Sequence, residues 1–296
     1  MSNKTNVTSA VKKPKKRSQF QETMRRLSKN RSAMIGLAII ILVILISVAA
    51  SLFYDYDTQV ISAVGDRLQH PNLKHPFGTD ELGRDIFTRV LYGARYSLSV
   101  SFVAVLVSLI IGVPLGAIAG FCGGVIENII MRFNDILLAL PSIFTAIAIV
   151  SALGKSTLNL MIAVGVCSIC TFAQVTRSAV LTVRNNEYVE AARALGATNL
   201  HIIFQHILPN CLAPIIVQTT FRMGQAIISA ASLSFLGLGI PLPAPEWGAM
   251  LSAGRNYLLG YSYMTLFPGL ALLITVIAFN MVGDGLRDAL DPKLKH

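Results

Sequence analysis

The stretch Tyr188-Val189-Glu190-Ala191-Ala192-Arg193-Ala194-Leu195-Gly196 is a polar island between long apolar runs. Glu, Ala, Arg and Leu favour a short helix, and Gly196 supplies a left-handed stop at its C-terminus. A second short helix is predicted directly afterwards, with Thr198 or Asn199 as its cap. Pro209 is expected to end this second helix before the next apolar run.

The second predicted helix carries one apolar stripe. Its large apolar residues recur at the i, i+3, i+4, i+7 spacing of a single helix face: Leu200, Ile203, Phe204, Ile207 and Leu208. The island therefore predicts a helix-turn-helix with one apolar face. Such an element is short enough to fit a groove on another protein.

The composition around the island is that of a membrane protein. Of the residues, 53% are hydrophobic and 14% are charged, and the mean hydropathy is +0.61, which excludes an ordinary soluble domain. Six segments approach or exceed the ~20 residues that a helix needs to cross a bilayer. We therefore predict an all-α, polytopic membrane protein with six transmembrane helices, at Met34–Phe53, Leu98–Phe121, Ile129–Leu153, Thr157–Val180, Leu212–Leu236 and Tyr263–Val282.

The distribution of Lys and Arg sets the expected orientation. Before the first span the chain has ten basic residues and a single acid, Glu22: Lys4, Lys12, Lys13, Lys15, Lys16, Arg17, Arg25, Arg26, Lys29 and Arg31. The positive-inside rule places this tail in the cytoplasm, and six spans return the C-terminus to the same side. The first span is too long for a removable signal peptide and is expected to be retained.

This topology divides the chain into predicted regions. The basic cytoplasmic tail covers 1–31 and the first span 32–53. An extracytoplasmic segment covers 54–94, and a five-helix core covers 95–290, with a cytoplasmic loop at 185–210. The C-terminal segment 291–296 is expected in the cytoplasm.

The net charge of +10 does not indicate nucleic-acid binding. Ten of the basic residues lie in the tail, where topology accounts for them, and no aromatic interleaving accompanies them. Contact with anionic lipid headgroups is the expected use of the tail.

Several local patterns are weak signals for catalysis or metal binding. Gly154-Lys155-Ser156-Thr157 resembles the end of a phosphate-binding loop, but Ile149 stands where that motif needs its first glycine. Cys167 and Cys170 form a C-x-x-C inside an apolar span, where packing explains them better than redox chemistry. His201 and His206 are five apart, which on an α-helix puts them on different faces. The sequence predicts no catalytic residue, no metal site and no cofactor bound by this chain.

Polar residues inside the spans are candidates for a transport pathway. Arg132 and Asp135 fall at one end of the third span, where anchoring is the first interpretation and a pathway role the second. Arg222 lies about ten residues into the fifth span, near mid-membrane. It is expected to line a polar cavity, to face a partner subunit or to pair with Asp135.

Small residues and prolines in the spans predict how the helices pack. Gly112, Gly116 and Gly120 repeat every four residues and predict a close helix interface. Pro114 and Pro141 predict bent helices around a cavity, since neighbours must satisfy the freed carbonyls.

Taken together, these motifs resemble one family. The run E-A-A-x-x-x-G from Glu190 to Gly196, followed by Leu208-Pro209, resembles the cytoplasmic signature of ABC importer permeases. Three further stretches resemble the second permease of the dipeptide, oligopeptide and nickel importers. They are H-P-F-G-T-D with L-G-R-D at 75–85, L-S-F-L-G-L-G with P-E-W-G at 233–248, and G-D-G-L-R-D-A-L-D-P at 283–292.

The resemblance implies the fold of an ABC type I importer permease and a translocation role without bond chemistry. It implies an ATPase-coupling role for Glu190, Ala191, Ala192, Gly196, Leu208 and Pro209. The implied partners are a second homologous permease, two cytosolic ATP-binding-cassette ATPases that use ATP and Mg²⁺, and an extracytoplasmic substrate-binding protein. The implied location is the cytoplasmic membrane. Peptides are the expected cargo, with nickel or a nickel chelate as the alternative.

Two other classes of protein stay open on the residues alone. An ion-coupled secondary transporter would show ionisable residues at the membrane midplane, for which Arg222 is the sole candidate. A membrane-anchored scaffold would also use a docking helix, but it would not need Pro- and Gly-rich spans around a cavity.

Overall fold

Long apolar sequence runs become helices because, in lipid, every backbone polar group must be satisfied within the chain. The computed structural model describes residues 19–290, with side chains from residue 23, and contains no β-strand within that range. The helices are α1 Gln19–Lys29, α2 Arg31–Phe53, α3 Ile86–Cys122, α4 Gly124–Ala139, α5 Ser142–Leu153, α6 Thr157–Val183, α7 Glu187–Ala194, α8 Asn199–His201, α9 Leu212–Phe235, α10 Trp247–Gly254 and α11 Tyr263–Leu290. Most of the predicted basic tail, and segment 291–296, lie outside the described residues.

Five helical runs within the described residues are long and apolar enough to span a membrane: Arg31–Phe53, Ile86–Cys122, Thr157–Val183, Asn199–Phe235 and Tyr263–Leu290. The predicted third span, Ile129–Leu153, is instead the pair α4 and α5, which meet at an angle of 91°. Leu140, extended at ψ 131°, precedes Pro141 at the break, as proline disfavours helical backbone before it. With this pair counted there are six spans, and the all-α, multi-span prediction is confirmed.

Helix α3 begins at Ile86 and not near Leu98. Asp85 caps it by accepting a hydrogen bond from the Thr88 backbone N–H at 2.8 Å. The segment 54–94, predicted outside the membrane, therefore includes the first turns of α3. We call residues 54–85 the cap segment, its side of the bundle the cap end, and the opposite side, which carries residues 187–211, the loop end.

Helices α3 and α6 approach each other closely, and glycines of α3 allow this contact. A Cβ on Gly112 would lie 2.7 Å from the Ile169 carbonyl oxygen, and one on Gly120 would lie 2.9 Å from Val180 Cβ. Gly116 faces the Ala173 carbonyl in the same way. The predicted glycine interface is confirmed, and its partner is α6.

Replacing Gly116 by alanine is expected to destabilise the fold by about 1–3 kcal/mol, because the added methyl forces α3 and α6 apart. Its Cβ would lie 2.8 Å from Thr176 Cβ, and closer still to a backbone oxygen that cannot move aside. Gly269→Ala in α11 is the matched control, since its nearest neighbour would be Leu251 Cδ2 at 3.6 Å. Thermal unfolding in mild detergent measures both, and a Gly116→Ala melting temperature equal to wild type would contradict the argument.

Helix α11 packs between α2 and α9. Gly36 of α2 lies against α11, where a Cβ would come 2.7 Å from the Ala278 carbonyl, and Gly283 of α11 faces Phe221 and Thr220 of α9. The outer face of α2 is exposed and apolar: Ile35, Ile41, Leu42, Ile44, Leu45, Val48 and Leu52. A face of this kind is suited to lipid.

Three buried charged residues hold the cap segment on α3. Asp80 Oδ2 accepts from Arg84 Nε at 2.6 Å and lies 3.8 Å from Arg89 Nε. Arg89 Nη1 also donates to the carbonyls of Val60 at 3.0 Å and Pro243 at 3.4 Å. Asp80 is therefore the counter-charge for two guanidinium groups removed from water.

Further hydrogen bonds tie the cap segment to the bundle. Tyr263 Oη of α11 donates to the Thr79 carbonyl at 3.2 Å, and His75 Nδ1 lies 3.0 Å from Asp85 Oδ1, both side chains buried. At the segment's exposed start, the Thr58 hydroxyl and backbone N–H donate to Asp55 and lower the pKa of that carboxyl. The cap segment is thus an ordered part of the fold.

Candidate functional site: a helical loop and a polar cavity

The island that opens the sequence folds as α7 and ends in a Schellman motif. Gly196 has φ +80°, the left-handed conformation that glycine adopts without steric cost. The Ala197 N–H donates to the Ala192 carbonyl at 3.1 Å and the Gly196 N–H to the Arg193 carbonyl at 3.0 Å, which together satisfy the last turn. The predicted role of Gly196 as the helix stop is confirmed.

Helix α7 has one buried face and one exposed face. Val189 and Ala192 are buried against Phe121 of α3 and Val180 of α6, whereas Glu190 and Ala191 are exposed. Of the two small alanines predicted to seat a partner, Ala192 instead packs inside this chain, because its helical position points towards α3 and α6. A partner at the loop end can therefore reach Glu190 and Ala191 directly, but not Ala192.

The second helix of the loop begins as predicted and does not end as predicted. Thr198 caps it, accepting from the His201 N–H at 3.4 Å, but helix runs without interruption from Asn199 to Phe235. Pro209 is accommodated because a π-helical stretch, Ile202–Ile207, precedes it and a 3₁₀ turn, Leu208–Cys211, contains it near its start. Near the start of a turn the missing N–H costs little. The prediction that Pro209 ends the helix is wrong.

The predicted apolar stripe is split between two sides. Ile203 and Ile207 are buried with Ile202 in the cluster under α7, while Leu200 and Phe204 are exposed by 62% and 56%. The π stretch causes the split, since a π-helix has more residues per turn and therefore a smaller rotation per residue than an α-helix. With Leu195, which is 88% exposed, Leu200 and Phe204 give the loop an exposed apolar surface.

The π stretch also overturns the expectation that His201 and His206 lie on different faces. Their ring centroids are 5.7 Å apart, edge to face. A π-helical hydrogen bond spans five residues, so an i, i+5 pair comes onto one side.

Basic side chains fasten the loop end to the spans. Arg193 of α7 lies over the Phe121 ring at 5.5 Å, and Arg184 Nη1 donates to the Gly120 carbonyl at 2.8 Å. Arg177 of α6 pairs with Glu127 of α4, with Nε donating to Oε1 at 2.6 Å. These contacts join α7 to the end of α3, and the end of α6 to α3 and α4.

A polar cavity of about 490 Å³ lies between α5, α6, α9 and α11. Helix α9 supplies one wall with residues spaced by three or four, including Gln218, Arg222, Gln225, Ser229 and Ser232. Its other polar lining residues are Ser142, Cys167, Ser168 and Asn280. Sequence reasoning singled out Arg222 alone, although the polar spacing along α9 was a usable signal.

Arg222 lines this cavity, which is one of the three alternatives predicted for it. Its Nη2 donates to Thr171 Oγ1 of α6 at 2.7 Å. Within residues 19–290 no ion pair joins Arg222 to Asp135, so the alternative of that pair is wrong. Arg132 and Asp135 are exposed on α4 and are not among the residues that line the cavity.

Two known families match separate parts of the chain. Residues 112–296 match the family described as binding-protein-dependent transport system inner membrane component. Residues 18–71 match the N-terminal transmembrane domain of oligopeptide transport permease C.

Relatives in several bacteria are similar along most of their length. The dipeptide transport system permease protein DppC of Alkalihalophilus pseudofirmus is 50% identical over 278 residues, 94% of this chain and 91% of that protein. The glutathione transport system permease protein GsiD of Pectobacterium atrosepticum is 43% identical, over 94% of this chain and 93% of that protein. The di/tripeptide transport system permease protein DppC of Pseudomonas aeruginosa is 42% identical, with 94% of each covered.

Among solved structures, the inward-facing MetNI methionine ABC transporter is similar in fold. One crystal form gives a TM-score of 0.58 at 18% identity, over 69% of this chain and 97% of that chain. A second gives 0.56 at 20% identity, over 70% and 98%. The likeness lies in the arrangement of helices.

Proposed function

The chain belongs to the family of inner membrane components of binding-protein-dependent transport systems, and from this premise we propose that it is the permease subunit of an ATP-binding-cassette importer that moves peptides inward across the cytoplasmic membrane. Relatives named for dipeptide and glutathione transport support peptides as the cargo over nickel. The chain translocates and performs no bond chemistry, and ATP and Mg²⁺ belong to the partner ATPases.

One observation carries the proposal: a single uninterrupted helix joins the exposed loop to the polar cavity. The run Asn199–Phe235 begins beside α7 at the loop end and continues as the α9 wall that carries Arg222. A movement imposed at Asn199 would reach the cavity through successive helical turns of one run. A transporter in which ATP hydrolysis opens the cavity first to one side of the membrane and then to the other requires such a linkage.

The loop end is the proposed ATPase-docking surface. It exposes Glu190, Ala191 and Gly196 beside the apolar side chains of Leu195, Leu200 and Phe204. An apolar patch on a short helical element suits a groove in a partner. Ala192 and Leu208 are assigned a supporting role, because both pack in the apolar cluster under α7. Pro209 is assigned a supporting role because it lies in the 3₁₀ turn that leads into α9.

The positions of the other partners are assigned from the two ends of the bundle. Both termini and the loop end are placed in the cytoplasm, where two ATPases bind, and the cap end outside, where the substrate-binding protein delivers cargo. A second, homologous permease is placed against α4 and α5, whose outward faces carry exposed apolar residues: Val125, Ile126, Ile129, Phe133, Ile136 and Phe144.

Purification of the tagged chain from native membranes in mild detergent tests the proposal, followed by reconstitution of whatever remains bound. Recovery of a second permease and P-loop ATPases, with peptide uptake that requires ATP hydrolysis, is the expected result. Uptake by the isolated chain driven by a proton or sodium gradient would overturn it in favour of a secondary transporter.

Ala191→Trp is expected to lower ATP-driven uptake severalfold and to weaken recovery of the ATPase, while the chain itself stays folded. Ala191 is exposed, so a bulky ring meets the partner and not the interior. Thr182→Trp, at an exposed position of α6 near the same end, is the control. Wild-type uptake by Ala191→Trp would count against docking at α7.

A further inference from the structure

The cavity between α5, α6, α9 and α11 carries a positive charge without a negative one. Arg222 stays protonated under all physiological conditions, and none of the lining residues is Asp or Glu. An uncompensated charge at membrane depth is costly and is usually a functional group. The cavity is therefore suited to an anion.

Arg222 is held in position and keeps donors available. Thr171 Oγ1 of α6 accepts a hydrogen bond from Arg222 Nη2 at 2.7 Å, which holds the guanidinium against α6. The remaining N–H groups lie in one plane, in the fork geometry that binds both oxygens of a carboxylate.

The rest of the lining is polar and uncharged. Gln218 and Gln225 lie on the same face of α9 as Arg222, and Asn280 and Ser168 lie on neighbouring helices. Amide and hydroxyl side chains donate and accept hydrogen bonds, as peptide backbone groups require whatever the peptide sequence is. A volume of about 490 Å³ lies within the ~300–1,000 Å³ range of small-molecule pockets.

We propose that Arg222 binds the C-terminal carboxylate of the transported peptide in this cavity, with Thr171 as a positioning residue. This inference rests on the proposed import of peptides. The carboxylate is the one anionic group that every unmodified peptide shares, so a single fixed guanidinium serves cargo of varied sequence.

The first test compares dialanine with its C-terminal amide in vesicles that contain the complete importer and its binding protein. Arg222→Gln is expected to lower dialanine uptake about tenfold or more, the loss expected for a charge-assisted hydrogen bond, with little change for the amide. Dialanine uptake by Arg222→Lys and by Thr171→Val is expected to lie between that of the wild type and that of Arg222→Gln. Both variants keep the positive charge, but lysine lacks the planar guanidinium and valine no longer holds it in position. An unchanged ratio of the two uptake rates in Arg222→Gln would overturn the proposal.

A second test does not depend on the binding protein or on ATP. Cys167 lines the same cavity, so a small thiol reagent reports its occupancy in a Cys122→Ser background, which removes the exposed cysteine. Dialanine at millimolar concentration is expected to slow labelling of Cys167, the amide is not, and Arg222→Gln is expected to abolish the protection. Equal protection by both peptides would overturn the carboxylate assignment. Absence of ATP-driven uptake by the wild-type importer would instead refute the proposed function.

Discussion

A Gly196→Pro variant is expected to insert into the membrane and to lose almost all ATP-driven uptake. Proline fixes φ near −65°, whereas Gly196 has φ +80°. Proline also removes the N–H that donates to the Arg193 carbonyl. A cost of about 3 kcal/mol against the native turn corresponds to roughly a hundredfold fall in the population that couples correctly.

Gly196→Asn separates backbone geometry from the identity of the side chain. Asparagine enters the left-handed region readily, and a Cβ at this position meets nothing within 4 Å. Uptake close to wild type is expected for asparagine, measured together with ATP hydrolysis and recovery of the complex. Efficient uptake by the proline variant would show that the angle between α7 and the continuous helix has no part in coupling.

Asp80→Ala is expected to destabilise the protein by about 3–5 kcal/mol, the cost of leaving a buried charge without its partner. Asp80 Oδ2 serves Arg84 and Arg89, and its Oδ1 accepts the backbone N–H groups of Leu82 and Arg84, each at 2.9 Å. Both backbone N–H groups lose their acceptor, and the two guanidinium groups lose their shared carboxylate, which leaves Arg89 with neutral carbonyl acceptors only. Thermal unfolding in detergent and the yield of monodisperse protein measure the effect.

Two comparisons show which part of Asp80 matters. Asp80→Asn keeps an oxygen for the backbone donors but loses the charge, so an intermediate loss of stability is expected. Asp57→Asn changes an exposed acid of the same cap segment and is expected to leave stability unchanged within about 0.5 kcal/mol. Equal stability of the alanine variant and the wild type would mean that Glu81 beside Arg84, and the carbonyls beside Arg89, stabilise the two guanidinium groups without Asp80.

The sequence predicted elements whose cause is local. Gly196 and Thr198 act on their own backbone neighbours, so their roles at the two ends of the turn could be inferred from residue type. The four-residue repeat of Gly112, Gly116 and Gly120 likewise predicts a close contact whatever the partner is. The presence of the spans, though not their lengths, followed from the apolar runs.

The features that the sequence did not predict depend on backbone hydrogen-bond patterns or on contacts between residues far apart in the chain. The path through Pro209 required a π stretch, which no residue type in Ile202–Ile207 indicates. The burial of Ala192, and the absence of a pair between Arg222 and Asp135, depend on how α3, α6 and α9 pack. The spacing of residues along one helix does not determine which face of that helix packs against a neighbouring helix.

The π stretch Ile202–Ile207 also fixes the rotational phase of α9 relative to α7. Each residue of an α-helix turns the chain by about 100°, so a stretch with one residue more or fewer would rotate everything that follows. Gln218, Arg222 and Gln225 would then point away from the cavity, although none of them had changed. The orientation of the cavity residues is thus determined well before them in the chain, by how the backbone winds before Pro209. An insertion or deletion there is expected to alter the cavity more than many substitutions within it.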